Sequence, residues 1–173
     1  MINYIKDEDR FLKILSMPSS SGEEIYSILL MLYENGVDLN RVEITGYDIS
    51  SEAVSHAING EYDEHSLHKV DRDLREKYFT KIGDDLYKIS SKFIGRAKFY
   101  QQNIFDLTNE QNSYDIVLSR NMFIYFDEQK RKVALDIIVD ILKKDGIYIK
   151  GHADYIYKHP KLESVCYGIY RKN

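Results

Sequence analysis

The stretch that most restricts the fold is Phe11–Asn35, FLKILSMPSSSGEEIYSILLMLYEN. A short apolar run, Leu12, Ile14 and Leu15, leads into Ser19-Ser20-Ser21-Gly22. Two acids follow, Glu23 and Glu24, and then apolar residues at helical spacing from Ile25 to Tyr33. The order is strand, tight loop, helix. Ser21 and Glu24 stand at the spacing of a capping box, in which a hydroxyl and a carboxylate satisfy the first free N–H groups of the helix. A loop of this kind, with Gly22 letting a ligand approach the backbone at a helix start, is where mononucleotide-like cofactors bind. It is not GxGxxG, and a serine-rich turn capping an ordinary helix is the commoner use of such residues.

The rest of the chain repeats the alternation. Leu12–Ser16 is expected as a first strand and Gly22–Asn35 as a helix ended by Gly36. Val42–Asp48 is expected as a second strand, and Ser50–Asn59 as a second helix with Ser50 or Ser51 as cap and Gly60 as stop. Strands separated by helices in this way are parallel, with right-handed crossovers. Glu61–Lys98 interrupts the pattern with a charged helix over Leu67–Phe79 and a hairpin over Phe79–Ser90 that turns at Gly83-Asp84-Asp85. A hairpin inserted into a parallel chain serves as a lid, a partner-binding appendage or plain surface decoration. Ala97–Gln102, Tyr114–Ser119 and Gly146–Gly151 are the next strands. A long helix over Asp127–Leu142, capped by Asp127, precedes the last of them, and Ser164–Arg171 is a terminal strand or pair of strands. Met1–Arg10 is polar and expected to be loosely held. The division is one domain over 1–173 with an inserted subdomain at 61–98.

At 173 residues the chain is of single-domain length and long enough to bury a core. Apolar residues at 43% and charged residues at 30% place it among ordinary soluble globular proteins. No apolar run approaches membrane-spanning length, and the first ten residues are charged rather than signal-like. A net charge of −4 argues against nucleic-acid binding through bulk charge. Cys166 is the only cysteine and the five histidines form no HxxxH or HExxH pattern, so neither a disulfide nor a metal site is expected. A reducing cytoplasm is the natural compartment.

In an open α/β sheet, ligands bind past the carboxyl ends of the strands. Those ends are Ser19–Glu24, Asp48-Ile49, Asn103-Ile104, Arg120–Tyr125 and Gly151–Asp154. Asp48 follows Gly22 by 26 positions, near the spacing at which an acid accepts hydrogen bonds from a ribose diol. Its alternative is to cap the second helix. Asn103 can donate to and accept from a purine edge, or serve as a turn asparagine. Periodicity alone assigns Tyr125 and Phe126 to the core.

Together, SSSGEEIYS at Ser19–Ser27, ITGYDIS at Ile44–Ser50, SRNMFIYFD at Ser119–Asp127 and GHAD at Gly151–Asp154 resemble the chemotaxis receptor methyltransferase (CheR) family. The most specific piece is the RNxxIYFD-type segment. YFTKIGDDLYKIS at Tyr78–Ser90 falls where that family carries a small antiparallel β-subdomain. The resemblance runs from about Leu12 to the C-terminus. It implies an α/β fold: a seven-stranded, Rossmann-like class I methyltransferase sheet with helices on both faces. The implied cofactor is S-adenosylmethionine, with S-adenosylhomocysteine as product, and the implied reaction is O-methylation of glutamates on cytoplasmic chemoreceptor helices. Residue by residue, Ser20 and the loop Gly22-Glu23-Glu24 fall on the cofactor, one of the two glutamates holding its methionyl end. Asp48 falls at the ribose, Ile49 beside it also falls on the cofactor, Asn103 and Ile104 flank the adenine, and Arg120 and Asn121 line the site. Tyr125 stands beside the reactive methyl group. Arg120 either holds the substrate carboxylate or pairs with an acid such as Asp115.

Three departures from the family pattern stand out. Pro18 and Ser19 replace a small residue and a cysteine-like one, and Pro18 removes an N–H from the cofactor loop. Ile25 stands where proline is common. Only Met1–Phe11 precedes the first strand, where family members carry a helical domain. The chain is therefore expected to be a fragment or a reduced paralogue that binds cofactor product but transfers methyl poorly alone. The alternative is a catalytically weak cofactor-binding or partner-binding module. Pentapeptide docking on the short, acidic hairpin is not expected.

Overall fold

A computed structural model describes residues 2–107 and 109–173. The centre is a seven-stranded sheet formed by β1 (Leu12–Ser16), β2 (Val42–Asp48), β6 (Ala97–Gln101), β7 (Tyr114–Ser119), β8 (Leu142–Lys150), β9 (Leu162–Cys166) and β10 (Ile169–Lys172). Its order is β6-β2-β1-β7-β8-β10-β9. The first five are parallel, and β10 runs antiparallel to both β8 and β9. From β1 the chain winds outward through β2 to β6, then returns to β7 on the other side of β1. The crevice between β1 and β7 is the switch point, where such sheets bind ligands.

Period-two alternation divides the strands between two cores. Leu12 and Ile14, Ile44, Ile116 and Leu118 face one side, with α2 (Glu23–Glu34) and α3 (Ser51–Asn59) packed on them. Leu15, Tyr47, Val117 and Tyr148 face the other, under α5 (Glu128–Ile141). The local stops and starts are those the residues favour. Ser50 caps α3 by accepting from Ala53 N, Gly60 closes it at φ 63°, and Asp127 caps α5 by accepting from Lys130 N.

Several elements differ from the sequence reading. α1 (Ile2–Asp7) is helical, and Ile5 is buried in the first core, so the segment expected to be loose is held; Met1 lies outside the described residues. The expected capping box does not form. Gly22, at φ 89°, is the N-cap of α2, Ser21 Oγ donates to Glu23, and Glu24 turns to the end of β1 instead. The helix expected over Leu67–Phe79 is α4 (Arg72–Tyr78), because Asp71 caps it by accepting from Asp73 N and Phe79 already belongs to a strand. β4 (Phe79–Gly83) and β5 (Leu86–Ile89) make the expected hairpin. β3 (Glu61–Asp63) adds an unexpected third strand, in the order β3-β5-β4. This segment is pinned over α2: Tyr62 and Tyr78 join the first core, the Tyr62 hydroxyl donates to Ser21 O at 2.9 Å, and Lys77 reaches Glu34 at 2.8 Å. α5 passes into β8 without a loop, so that strand begins at Leu142 rather than Gly146. The C-terminal segment is a pair of strands turning at Gly168, φ 76°. Among the described residues no helix is long and apolar enough to cross a membrane.

Candidate functional site

A cleft of about 630 Å³ opens past the carboxyl ends of β1, β2, β6 and β7, a size suited to a cofactor. Its walls are largely apolar, with Met17, Ile104, Phe105, Met122 and Phe126 among them. Asp48, Asn103, Arg120 and Asn121 bring carboxylate, amide and guanidinium groups to it, and Ser20, Ile49 and Tyr125 stand among the other lining residues.

Asp48 ends β2 and ties two loops together. Its Oδ2 accepts from Ser20 N at 2.8 Å and its Oδ1 from Ser50 N at 2.9 Å. Ser50 rather than Asp48 caps α3. Each carboxylate oxygen keeps a second acceptor site. Asn103 Oδ1 accepts from Phe105 N, opening a 3-10 turn over Ile104–Asp106 that lays Ile104 into the cleft wall. The turn role and the cleft position of Asn103 therefore coexist.

The two glutamates part company. Glu23 Oε1 accepts from Ser21 Oγ. Glu24 points inward: Oε2 accepts from the buried Ser16 Oγ at 2.8 Å and Oε1 from Arg120 Nη1 at 2.9 Å. Gly22 does not face the cleft. A Cβ there would meet Ala57 and Phe99, so the glycine serves the left-handed turn and the close approach of α3. The amides on either side of Pro18 are both bonded, Met17 N to Leu118 O and Ser19 N to Tyr47 O.

Arg120 does not pair with Asp115. That carboxylate lies at the opposite end of β7, buried, and accepts from Lys13 N, Arg10 and Lys143. Tyr125 is not a core residue. Phe123–Tyr125 is a 3-10 turn, so the helical period fails there. Phe126 packs on Phe105 with ring centroids 5.2 Å apart, while Tyr125 stands 78% exposed at the mouth of the cleft.

A second, more open groove of about 960 Å³ runs between α2 and residues 66–74. It shares Pro18, Ser20, Arg120 and Asn121 with the first, so the Glu24–Arg120 pair lies on the divide between them. Sequence reasoning missed Tyr47, whose hydroxyl donates to Glu110 Oε1 at 2.7 Å beneath the cleft; Tyr114 donates to the same carboxylate. Burial first, with the Glu110 bond adding to it, pushes the Tyr47 hydroxyl up to about 12. It also assigned no role to the buried Asp154, which sits beneath the Arg120–Asn121 turn. Both lie inside quoted motifs, but neither shows its partner locally.

The strand order, the reversal at β1/β7 and the cleft beyond it define a Rossmann-like α/β fold of the class I methyltransferase type. The chain belongs to the family described as CheR methyltransferase, SAM binding domain, whose model matches residues 1–170. It is similar to the chemotaxis protein methyltransferase of Campylobacter jejuni, 32% identical over 157 residues, covering 90% of this chain and 59% of that protein. Its likeness to the chemotaxis protein methyltransferase of Borreliella burgdorferi is 30% identity over 174 residues, covering 98% and 61%. The chain thus spans about three-fifths of the length of these curated relatives. A SAM-dependent methyltransferase from Methanosarcina mazei shares the fold at TM-score 0.52 and 19% identity, over 86% of this chain and 55% of that one. The citrinin polyketide synthase CMeT domain does so at 0.53 and 22%, over 81% and 28%.

Proposed function

We propose that this chain is the cofactor-binding and transfer unit of an S-adenosylmethionine-dependent protein-glutamate O-methyltransferase acting on chemoreceptor helices. The observation that carries the reading is the convergence of Asp48, Asn103, Arg120 and Tyr125 on one cleft at the switch point, with Glu24 in the adjoining groove and paired to Arg120 on the divide. The residues fit the cofactor in kind. Asp48 offers free acceptor sites for a ribose diol, and Asn103 and Ile104 offer a polar edge and an apolar wall for adenine. Glu24, rather than Glu23, offers an inward carboxylate for an ammonium group. When bound, S-adenosylmethionine supplies an electrophilic methyl group.

The protein's own task is to bind, align and dry the reactants. A glutamate substrate has a pKa of about 4.3, so it is anionic at neutral pH and needs no general base. Arg120 is placed to hold a carboxylate, and Tyr125 to orient it or wall off water. Labelled methyl transfer to a receptor cytoplasmic fragment tests this, with S-adenosylhomocysteine binding as the companion measurement. Binding without any transfer under saturating substrate would remove the transferase reading.

A second reading, a cofactor-binding module with weak transfer, is favoured by one observation: the exposure of Tyr125 leaves the reacting side of the cleft open to water. Small misplacements of reacting groups cost about a hundredfold in rate. Turnover comparable to that of the longer relatives would exclude it.

A further inference from the structure

We propose that Asp154 is a positioning residue: its buried carboxylate sets the turn that carries Arg120 and Asn121 into the cofactor cleft. Asp154 is 2% exposed. Its Oδ2 accepts from Asn121 N at 2.7 Å and from Gly151 N at 3.2 Å, and its Oδ1 accepts from Phe123 N at 3.0 Å. One side chain thus satisfies two inward-facing amides of the turn after β7 and takes a second, longer bond from Gly151 N, which also donates to Ser119 O at 2.8 Å. Without it the Asn121 and Phe123 amides lose their partner in a region where Phe123 and Met122 exclude water.

The turn it holds is an unusual one. Asn121 stands at φ 58°, the left-handed region that non-glycine residues seldom occupy. Asp154 bonds the N–H of that same residue. The clamp is itself held: Lys150 Nζ donates to Asp154 O at 2.7 Å and to Gly151 O at 3.2 Å, and Asp154 N donates to Gly151 O. Gly151 allows the two turns to meet. A Cβ there would stand 2.8 Å from Asn121 N and 3.0 Å from Arg120 Cα and would intrude on the Asp154 carboxylate. Asp154 does not line the cleft, so it acts through Arg120 and Asn121, which do.

The inference rests on the reading that this cleft takes S-adenosylmethionine, but it is measured on binding, not on methyl transfer. Asp154→Asn keeps the size of the side chain and puts an amide where the Asn121 and Phe123 N–H groups need two acceptor oxygens. S-adenosylhomocysteine titrated into the folded variant, well below its melting temperature, is expected to show a Kd raised about tenfold, as the cleft wall that Arg120 and Asn121 form is displaced. Amide exchange at Asn121 and Phe123 is expected to quicken about tenfold while β1 and β2 keep their rates. Gly151→Ala reaches the same turn from the other side and is expected to reproduce both effects; it carries the test if the Asn variant does not fold. A folded variant with lowered melting temperature and unchanged Kd would make Asp154 structural only and overturn the proposal. A wild-type chain that binds S-adenosylhomocysteine but transfers no methyl would strike the transferase reading and leave this one standing.

Discussion

Arg120 Nη1 stands 2.9 Å from Glu24 Oε1, joining the end of β7 to the first turn of α2 across the switch point of the sheet. The pair is asymmetric in exposure, 58% for the Arg120 side chain and 17% for Glu24. Glu24 is the anchored member, braced by Ser16, and Arg120 is the one free to swing. Each Glu24 oxygen carries one of these bonds and keeps a second acceptor site, so an ammonium group entering beside it can share the carboxylate with Arg120. Glu24→Gln is therefore expected to weaken S-adenosylhomocysteine about tenfold or more, in line with roughly 1.5–3 kcal/mol for a hydrogen bond to a charged group. Glu23→Gln is expected to leave it within about twofold. Calorimetric titration of the two variants side by side is the measurement, and equal losses would undo the assignment.

Asp48→Ala is expected to cost binding about 1.5–3 kcal/mol. The same carboxylate ties Ser20 N to Ser50 N, so a modest drop in melting temperature should accompany it. Unchanged affinity in the folded variant would leave Asp48 with the loop-tying role alone.

Asp115 predicts the acid limb of stability. Burial on its own raises its carboxyl, but the bond from Lys13 N, and then Lys143 and Arg10, hold it below the usual carboxylate value. A depressed folded pKa means that its contribution is present above the unfolded value of about 3.9 and is lost as pH falls through the folded one. Asp115→Asn should lower stability at pH 7 by roughly 2 kcal/mol and flatten the loss below about pH 4. Denaturant titrations of both proteins across that range would show it; parallel pH curves would count against it.

Ser19 Oγ is buried with no hydrogen-bond partner among the described residues, its Cβ pressed toward Gly46. Replacing it by alanine removes a dehydrated hydroxyl, and a gain of about 1 kcal/mol is expected. A lower melting temperature for Ser19→Ala would show that the hydroxyl has a partner in solution.

The hairpin is expected not to dock an aromatic, acidic receptor pentapeptide. Lys88 is engaged by Glu61 at 3.0 Å, Lys81 leans over the Tyr87 ring, and Asp84 and Asp85 crown the turn. Like charges repel across such a contact. Micromolar binding in a fluorescence titration would overturn this.

What the sequence by itself determined is whatever short-range chemistry decides. β1 and β7 were legible from the apolar runs Ile14-Leu15 and Ile116–Leu118, β2 from β-favouring residues ended by an acid, and α3 and α5 because Ser50, Gly60 and Asp127 act within one turn of the helix ends. The motif positions around the cleft were legible for the same reason, each lying at a strand end. Tertiary structure decided the rest. β3 is three residues long and is a strand only because β5 pairs with it. α1 is held by burying Ile5 in a core the segment cannot supply. Ser21 and Glu24 have capping-box spacing, yet Glu24 bonds Ser16 and Arg120, the latter 96 positions away. Asp154 looks like any loop acid until the turn after β7 places two amides against it. A side chain's partners across a sheet are set by which strands become neighbours, and no local pattern carries that information.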